Sequence, residues 1–171
     1  MDEIELSSPD PSWPRRYEEE HARLRDLLPS VLVIGLEHIG STAVPDLPAK
    51  PVIDIMGVVT DLAIARERLV GPLEAAGYAF WADNPATDRL FFVKGLPPSA
   101  PRRTHHLHLM EDGPASRRHL AFRDYLRTHP DEARHYAALK AQLAERFRTD
   151  REAYTQAKAA YIDGVIAKAE G

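Results

Sequence analysis

The stretch from Gly35 to Val59, GLEHIGSTAVPDLPAKPVIDIMGVV, constrains this chain more than any other. It sets a Gly-Ser loop between two apolar runs, Val31-Leu32-Val33-Ile34 and Val52-Ile53-Asp54-Ile55-Met56. These read as neighbouring strands, predicted over about Val31–Glu37 and Val52–Val59. The connection is stiff, because Pro45, Pro48 and Pro51 fix φ. A pair joined in this way can bring Gly40, Ser41 and Thr42 beside the lone carboxylate of Asp54. Small residues let backbone N–H groups approach a phosphate, a hydroxyl adds a donor, and a facing carboxylate can hold the divalent cation that neutralises the phosphate.

Asp54 interrupts a strand that is otherwise apolar on both faces. An unpaired buried carboxylate costs on the order of several kcal/mol, so it needs a cation or strong donors. Either it serves a ligand, or it is a structural acid paired with Lys50 or an arginine. His106 and His108 alternate along a third predicted strand, Thr104–Glu111, and so share one face while His105 and Leu107 take the other. With Asp54 they would make a one-carboxylate, two-imidazole set, which suits zinc, manganese, iron or nickel better than magnesium. The plainer alternative makes both histidines hydrogen-bonded core or substrate-contact groups. Glu37 and His38 point to opposite faces of the first strand, so one of them can face Asp54: Glu37 as an orienting or substitute carboxylate, or His38 as a bond to the loop backbone.

The remaining elements follow from period and punctuation. Ser12-Trp13-Pro14 closes an extended N-terminal segment (1–14) and leads into a charged helix, predicted over about Arg15–Leu28 and stopped by Pro29. Asp61 reads as the N-cap of a helix to Ala76, with Gly77 at its C-terminus. Tyr78–Trp81 and Arg89–Lys94 read as strands. Helices are predicted from Ala115 to just before Pro130, over Asp131–Arg148 and over Asp150–Ala169. Strands first and helices last give a single α+β domain, 1–171, with a short mixed sheet and a C-terminal helical layer. At 171 residues it can bury about two-thirds of its unfolded surface.

Three cations lie centrally on the apolar stripes of those last helices: Arg118 between Phe122 and Tyr125, Lys140 among Tyr136, Leu143 and Phe147, and Lys158 among Tyr154, Tyr161 and Val165. Any one could snorkel to water. Three in succession point to a shared anion, with Arg89 and Lys50 as further contributors. The formal charge of −4, from 22 basic and 26 acidic residues, gives no bulk attraction to nucleic acid or membranes, so an anion must be held locally. The expected partner is a small phosphorylated ligand or nucleotide. The absence of cysteine excludes disulfides and thiolate chemistry, and no apolar run reaches the roughly 18 residues of a membrane span, so a cytoplasmic location is expected. Ser41 lacks the G-x-S-x-G elbow of a hydrolase, and no G-K-[ST] follows Gly40-Ser41 as a P-loop requires.

The blocks EHIGSTAVP, AKPVIDI, HHLHL, FRDYLR and YTQAKAAYI, spread over nearly the whole chain, resemble the GrpB family (UPF0157-like), a branch of the nucleotidyltransferase superfamily. That resemblance implies a minimal nucleotidyltransferase fold, a nucleoside triphosphate or related ligand, a divalent cofactor (magnesium, or a transition ion such as zinc or manganese), and possible nucleotidyl transfer to a small molecule. It makes Asp54 and Ser41 the catalytic pair with Glu37, sets the phosphates on Gly40, Ser41, Thr42 and the cations, and offers His106 or His108 as a substitute for a third carboxylate. Asp46 stands where the family usually has glycine. Met56 stands where a catalytic nucleotidyltransferase has its second acid, which also admits a non-catalytic accessory role in coenzyme A synthesis.

Overall fold

A computed structural model describes residues 4–171. Five strands form one mixed sheet in the order β1-β2-β5-β4-β3. They are β1 (Val33–Ile39), β2 (Ile53–Val59), β3 (Tyr78–Phe80), β4 (Arg89–Lys94) and β5 (His105–Glu111). β2 pairs antiparallel with β1 and parallel with β5, while β4 is antiparallel to both β5 and β3. The parallel pair needs a crossover, which α2 (Leu62–Ala75), β3 and β4 supply. The expected α+β architecture is what the chain adopts.

One face of the sheet carries the main core. Ile53, Ile55, Leu107 and Leu109 pack there with Trp13, Tyr17 and Leu24 of α1 (Trp13–Leu27) and Ala65, Leu69 and Leu73 of α2. Asp61 caps α2 as predicted, its carboxylate accepting from the Ile64 amide at 2.9 Å. Glu20 of α1 is 1 % exposed, yet it accepts from Tyr78 Oη at 2.7 Å and Lys94 Nζ at 2.8 Å. Burial alone would raise its carboxyl, but these donors outweigh it and lower the pKa, so a buried charge ties α1 to the far edge of the sheet.

The other face is closed in two parts. Ile39, Met56 and Met110 pack against Ala115 and Leu120 of α3 (Pro114–Thr128), and the 44–47 loop packs on Tyr136 of α4 (Pro130–Arg146) and Val165 of α5 (Arg151–Glu170). Between these two contacts the face stays polar.

Two local differences from the sequence reading have clear causes. β1 starts and ends two residues later than expected, because the Pro29 carbonyl holds the Leu32 and Val33 amides in a turn and leaves Val31 76 % exposed. The strand therefore runs to Ile39 and delivers its end directly into Gly40. Asp46 has φ 62°, the left-handed conformation that glycine adopts freely, which accounts for glycine being usual there in the family the chain resembles.

Candidate functional site

Asp54 lies on the central strand, in register with Ile39 of β1 and His106 of β5. Its two oxygens have different neighbours. Oδ1 faces His106 Nδ1 at 3.3 Å and His108 Nε2 at 3.4 Å. Oδ2 faces the loop: a Cβ built on Gly40 would stand 2.9 Å from it, and Gly40 has φ 74°, so only glycine fits on both counts. Burial would raise the Asp54 carboxyl, but hydrogen bonds and charge from His106 and His108 outweigh it and hold the group ionised, well below the usual carboxylate range. His106 also stands edge-on to Phe91, and its Nε2 is buried with no partner among the described residues.

Ser41 opens a 3₁₀ turn, Ser41–Ala43, directly above this carboxylate. Its hydroxyl accepts from Lys140 Nζ at 2.8 Å and turns its own O–H toward the Tyr136 hydroxyl. Lys140 is 2 % exposed and lies over the Tyr136 ring at 5.1 Å. Lys158 and Lys50 share a second ring, their Nζ atoms 4.8 Å and 5.6 Å from the centre of Tyr154. Among the described residues none of these three lysines pairs with a carboxylate. Burial, reinforced by the charges of Lys158 and Lys50, pushes Lys140 down from 10.5 to about 7. Burial with Arg151 and Lys158 pushes Lys50 down to about 8, and burial lowers Lys158 against the pull of Asp54.

Two cavities meet at Ser41, Asp54 and Lys158. The smaller, about 180 Å³, is lined by Lys50, Lys140, His106 and Tyr154 as well as the shared residues. The larger, about 450 Å³, is bounded by Arg89, His119, Phe122, Ile162 and Ile166. Arg89 and Arg118 do line the larger cavity, but each is already paired, Arg89 with Asp88 and Arg118 with Asp163. Arg118 thus shares the larger cavity with Lys158, while Lys140 lines the smaller one, and Arg118 meets a carboxylate that neither lysine has. Asp163 precedes Val165 on the same helix and reaches across α5 to intercept Arg118 at the rim, where Arg118 is half exposed.

Glu37 is drawn away as well. It shares the face of Asp54 but is bound by Arg123 Nη1 at 2.6 Å, an arginine that also donates to the His38 carbonyl at 3.0 Å. Glu37 thus anchors α3 to β1 and does not replace a missing acid. His38 points to the opposite face, stacks on Tyr17 and bonds Thr42 Oγ1 at 2.9 Å, with burial pushing its pKa down to about 4. Thr42 lines the smaller cavity with its hydroxyl already engaged.

The divalent cofactor implied by the family resemblance meets a poor match for magnesium. Among the described residues Asp54 is the one uncommitted carboxylate of the two cavities, since Asp88 is paired with Arg89; Met56 is fully buried in an apolar cluster, and Glu37 is committed to Arg123. Asp54, His106 and His108 are brought together as expected, but as two imidazoles converging on one oxygen. Among the described residues no three such groups are arranged to hold an ion.

The sequence reading missed three contributors. Tyr154 is the platform under two lysines, legible only as the residue one turn before Lys158. His119 faces Arg89 at 3.5 Å and is pushed to about 4 by burial, His108 and Arg89. Arg123 carried no signal, since Glu37 and His38, which it ties to α3, lie more than eighty residues away in sequence. Among the described residues no helix is long and apolar enough to cross a membrane.

Comparison with known proteins places this geometry in a family. The chain is 48 % identical over 168 residues to UPF0157 protein PA4798 of Pseudomonas aeruginosa, covering 98 % of this chain and 68 % of that one. It superposes on the crystal structure of the conserved protein GrpB from Enterococcus faecalis with TM-score 0.83 and 33 % identity, covering 96 % of each chain. It is also 34 % identical over 177 residues to a dephospho-CoA kinase of Mycolicibacterium paratuberculosis, matching 91 % of this chain but 43 % of that protein. The GrpB protein family matches residues 3–168, and the chain belongs to it.

Proposed function

We propose that this protein binds the phosphate chain of a nucleoside triphosphate or a related phosphorylated small molecule in the cavity between Ser41, Asp54 and the three lysines. The observation that carries this reading is the set Lys50, Lys140 and Lys158, gathered around two tyrosine rings with no carboxylate partner among the described residues. Unpaired ammonium groups, buried at Lys140 and half-buried at Lys50 and Lys158, destabilise an empty fold, and the chemical remedy is an anion that carries several charges in a small volume. A triphosphate fits that description. Ser41 would turn its O–H from Tyr136 to a phosphate oxygen, and the lysines would neutralise charge where a metal does so in other phosphate sites. Asp54, kept ionised by two imidazoles, would face the same group from the sheet.

Nucleotidyl transfer, as in the superfamily the Gly40-Ser41 loop and Asp54 resemble, is the second reading. It is favoured by the larger cavity across Asp54, which could hold an acceptor. Against a two-ion mechanism stands Met56, which cannot bridge metals. The dephospho-CoA kinase relative extends the candidate ligands to those of coenzyme A synthesis.

Calorimetric titration with inorganic triphosphate and with ATP, in chelator and again with magnesium, tests the binding reading. Stoichiometric binding that survives chelation is expected in wild type, with a loss of about tenfold or more in Lys158→Met. No binding under either condition would refute it. Pyrophosphate release from ATP in the presence of candidate acceptors would establish transfer.

A further inference from the structure

A third cavity, about 540 Å³, opens on the far side of Lys50 and Val52, the two residues it shares with the lysine cavity. Among the described residues its wall carries Lys50, Arg102, Arg103 and Arg151, against a single acid, Glu5. Glu5 meets Arg102 alone, at 3.5 Å, and among the described residues Arg103 and Arg151 form no ion pair. The cations therefore continue as a row, Lys140, Lys158, Lys50, then Arg103 and Arg151, through two connected spaces. Their proximity is also electrostatic, since Arg151, Lys158 and Arg103 all depress the Lys50 ammonium after burial has done so.

The cavity is built into the fold. Gly95 has φ 96°, and a Cβ there would lie 2.4 Å from the Arg102 carbonyl oxygen and 2.7 Å from the Thr104 amide. Only glycine lets the 96–103 segment close back on itself and deliver Arg102 and Arg103 to the wall. Arg151 arrives independently, as the first residue of α5. This placement opposes the local preference of a helix N-terminus for acidic groups, so Arg151 costs the isolated helix some stability.

We propose that this cavity is a second phosphate subsite, and that the natural ligand is a small molecule phosphorylated at two separated positions, one group or chain on the lysines and Ser41, the other on Arg103 and Arg151. The inference rests on the phosphate reading of the lysine cavity and adds to it the class of ligand. A single triphosphate fills only the smaller space and leaves two unpaired guanidinium groups beyond it. A ligand with a second phosphate on another arm neutralises both.

Two pairs of probes differing by one phosphate test this: AMP against adenosine 3′,5′-bisphosphate, and dephospho-CoA against coenzyme A. Inorganic triphosphate serves as the control for the lysine cavity. In wild type the doubly phosphorylated member of each pair should bind about tenfold or more tightly, the worth of a charge-assisted phosphate contact. Arg151→Gln and Arg103→Gln should erase that advantage while weakening triphosphate, which meets neither guanidinium directly, by a smaller factor. Arg151→Gln removes a cation from a helix N-terminus that disfavours one, so the fold survives it. Triphosphate binding with no advantage for the second phosphate, or an advantage that persists in both variants, overturns the second subsite and leaves the first intact. Absence of triphosphate binding overturns both.

Discussion

Lys140→Met should make the empty protein more stable while removing its ligand. Lys140 is buried without a carboxylate partner among the described residues, and its pKa is displaced from 10.5 to about 7 by burial and by Lys158 and Lys50. At about 1.4 kcal/mol per pH unit, keeping it charged in the folded protein costs on the order of 5 kcal/mol. Methionine keeps the apolar stem and deletes the charge. Lost with it are the Ser41 hydrogen bond, about 1 kcal/mol, and the contact with the Tyr136 ring, about 1 kcal/mol. The balance is a gain of about 3 kcal/mol, or about 6–12 °C in Tm for a chain of this size. The gain depends on pH in a fixed direction. Between pH about 7 and 10.5 the unfolded chain keeps Lys140 protonated while the folded chain releases the proton, so wild-type stability rises with pH across that window. The penalty is therefore complete below pH about 7, and the gap between variant and wild type should be widest there and close toward pH 10. Thermal unfolding followed by circular dichroism at pH 6, 8 and 9.5, paired with triphosphate titration at pH 7, checks both halves. A variant that melts below wild type at pH 6, with a gap indifferent to pH, would show that Lys140 is satisfied within the fold and would refute the reasoning.

Gly40→Ala should cost about 1–2 kcal/mol from the left-handed backbone alone and should weaken triphosphate binding further by displacing Asp54; an unchanged denaturation midpoint with unchanged affinity would contradict the contact between loop and carboxylate. Glu20→Gln, on the opposite face of the sheet, should destabilise by about 3–5 kcal/mol by leaving Lys94 without its counter-charge, yet bind triphosphate as wild type wherever it is folded. His38, His105 and His119 are each pushed to about 4, chiefly by burial. The unfolded chain takes up protons that the folded chain refuses between pH about 6.5 and 4, so stability should fall as pH drops through that window; urea midpoints that stay flat from pH 7 to 4.5 would count against it.

Much of this protein is written in its local sequence. The strand-loop-strand unit, the place of Asp54 on a central strand, the shared face of His106 and His108, and the helical layer at the C-terminus all follow from period, proline spacing and glycine. They are decided by backbone geometry within a few residues, and β4 was bounded to the residue. Lys140 and Lys158 were also legible, because a cation in the middle of an apolar stripe conflicts with its surroundings in any fold. Partner choice was not legible. Arg118 has the same helical signature as the two lysines, yet Asp163, forty-five residues later, captures it, and Arg123 captures Glu37 across eighty-six. Lys50 joins the lysines for a reason found in the packing of α5 against the 48–52 loop, which sets Tyr154 beneath it. Side-chain pairing depends on how separate elements dock, and on which opposite charge comes within a few ångströms. A one-dimensional pattern contains the candidates, and only tertiary packing decides which charges are cancelled and which are left for a ligand.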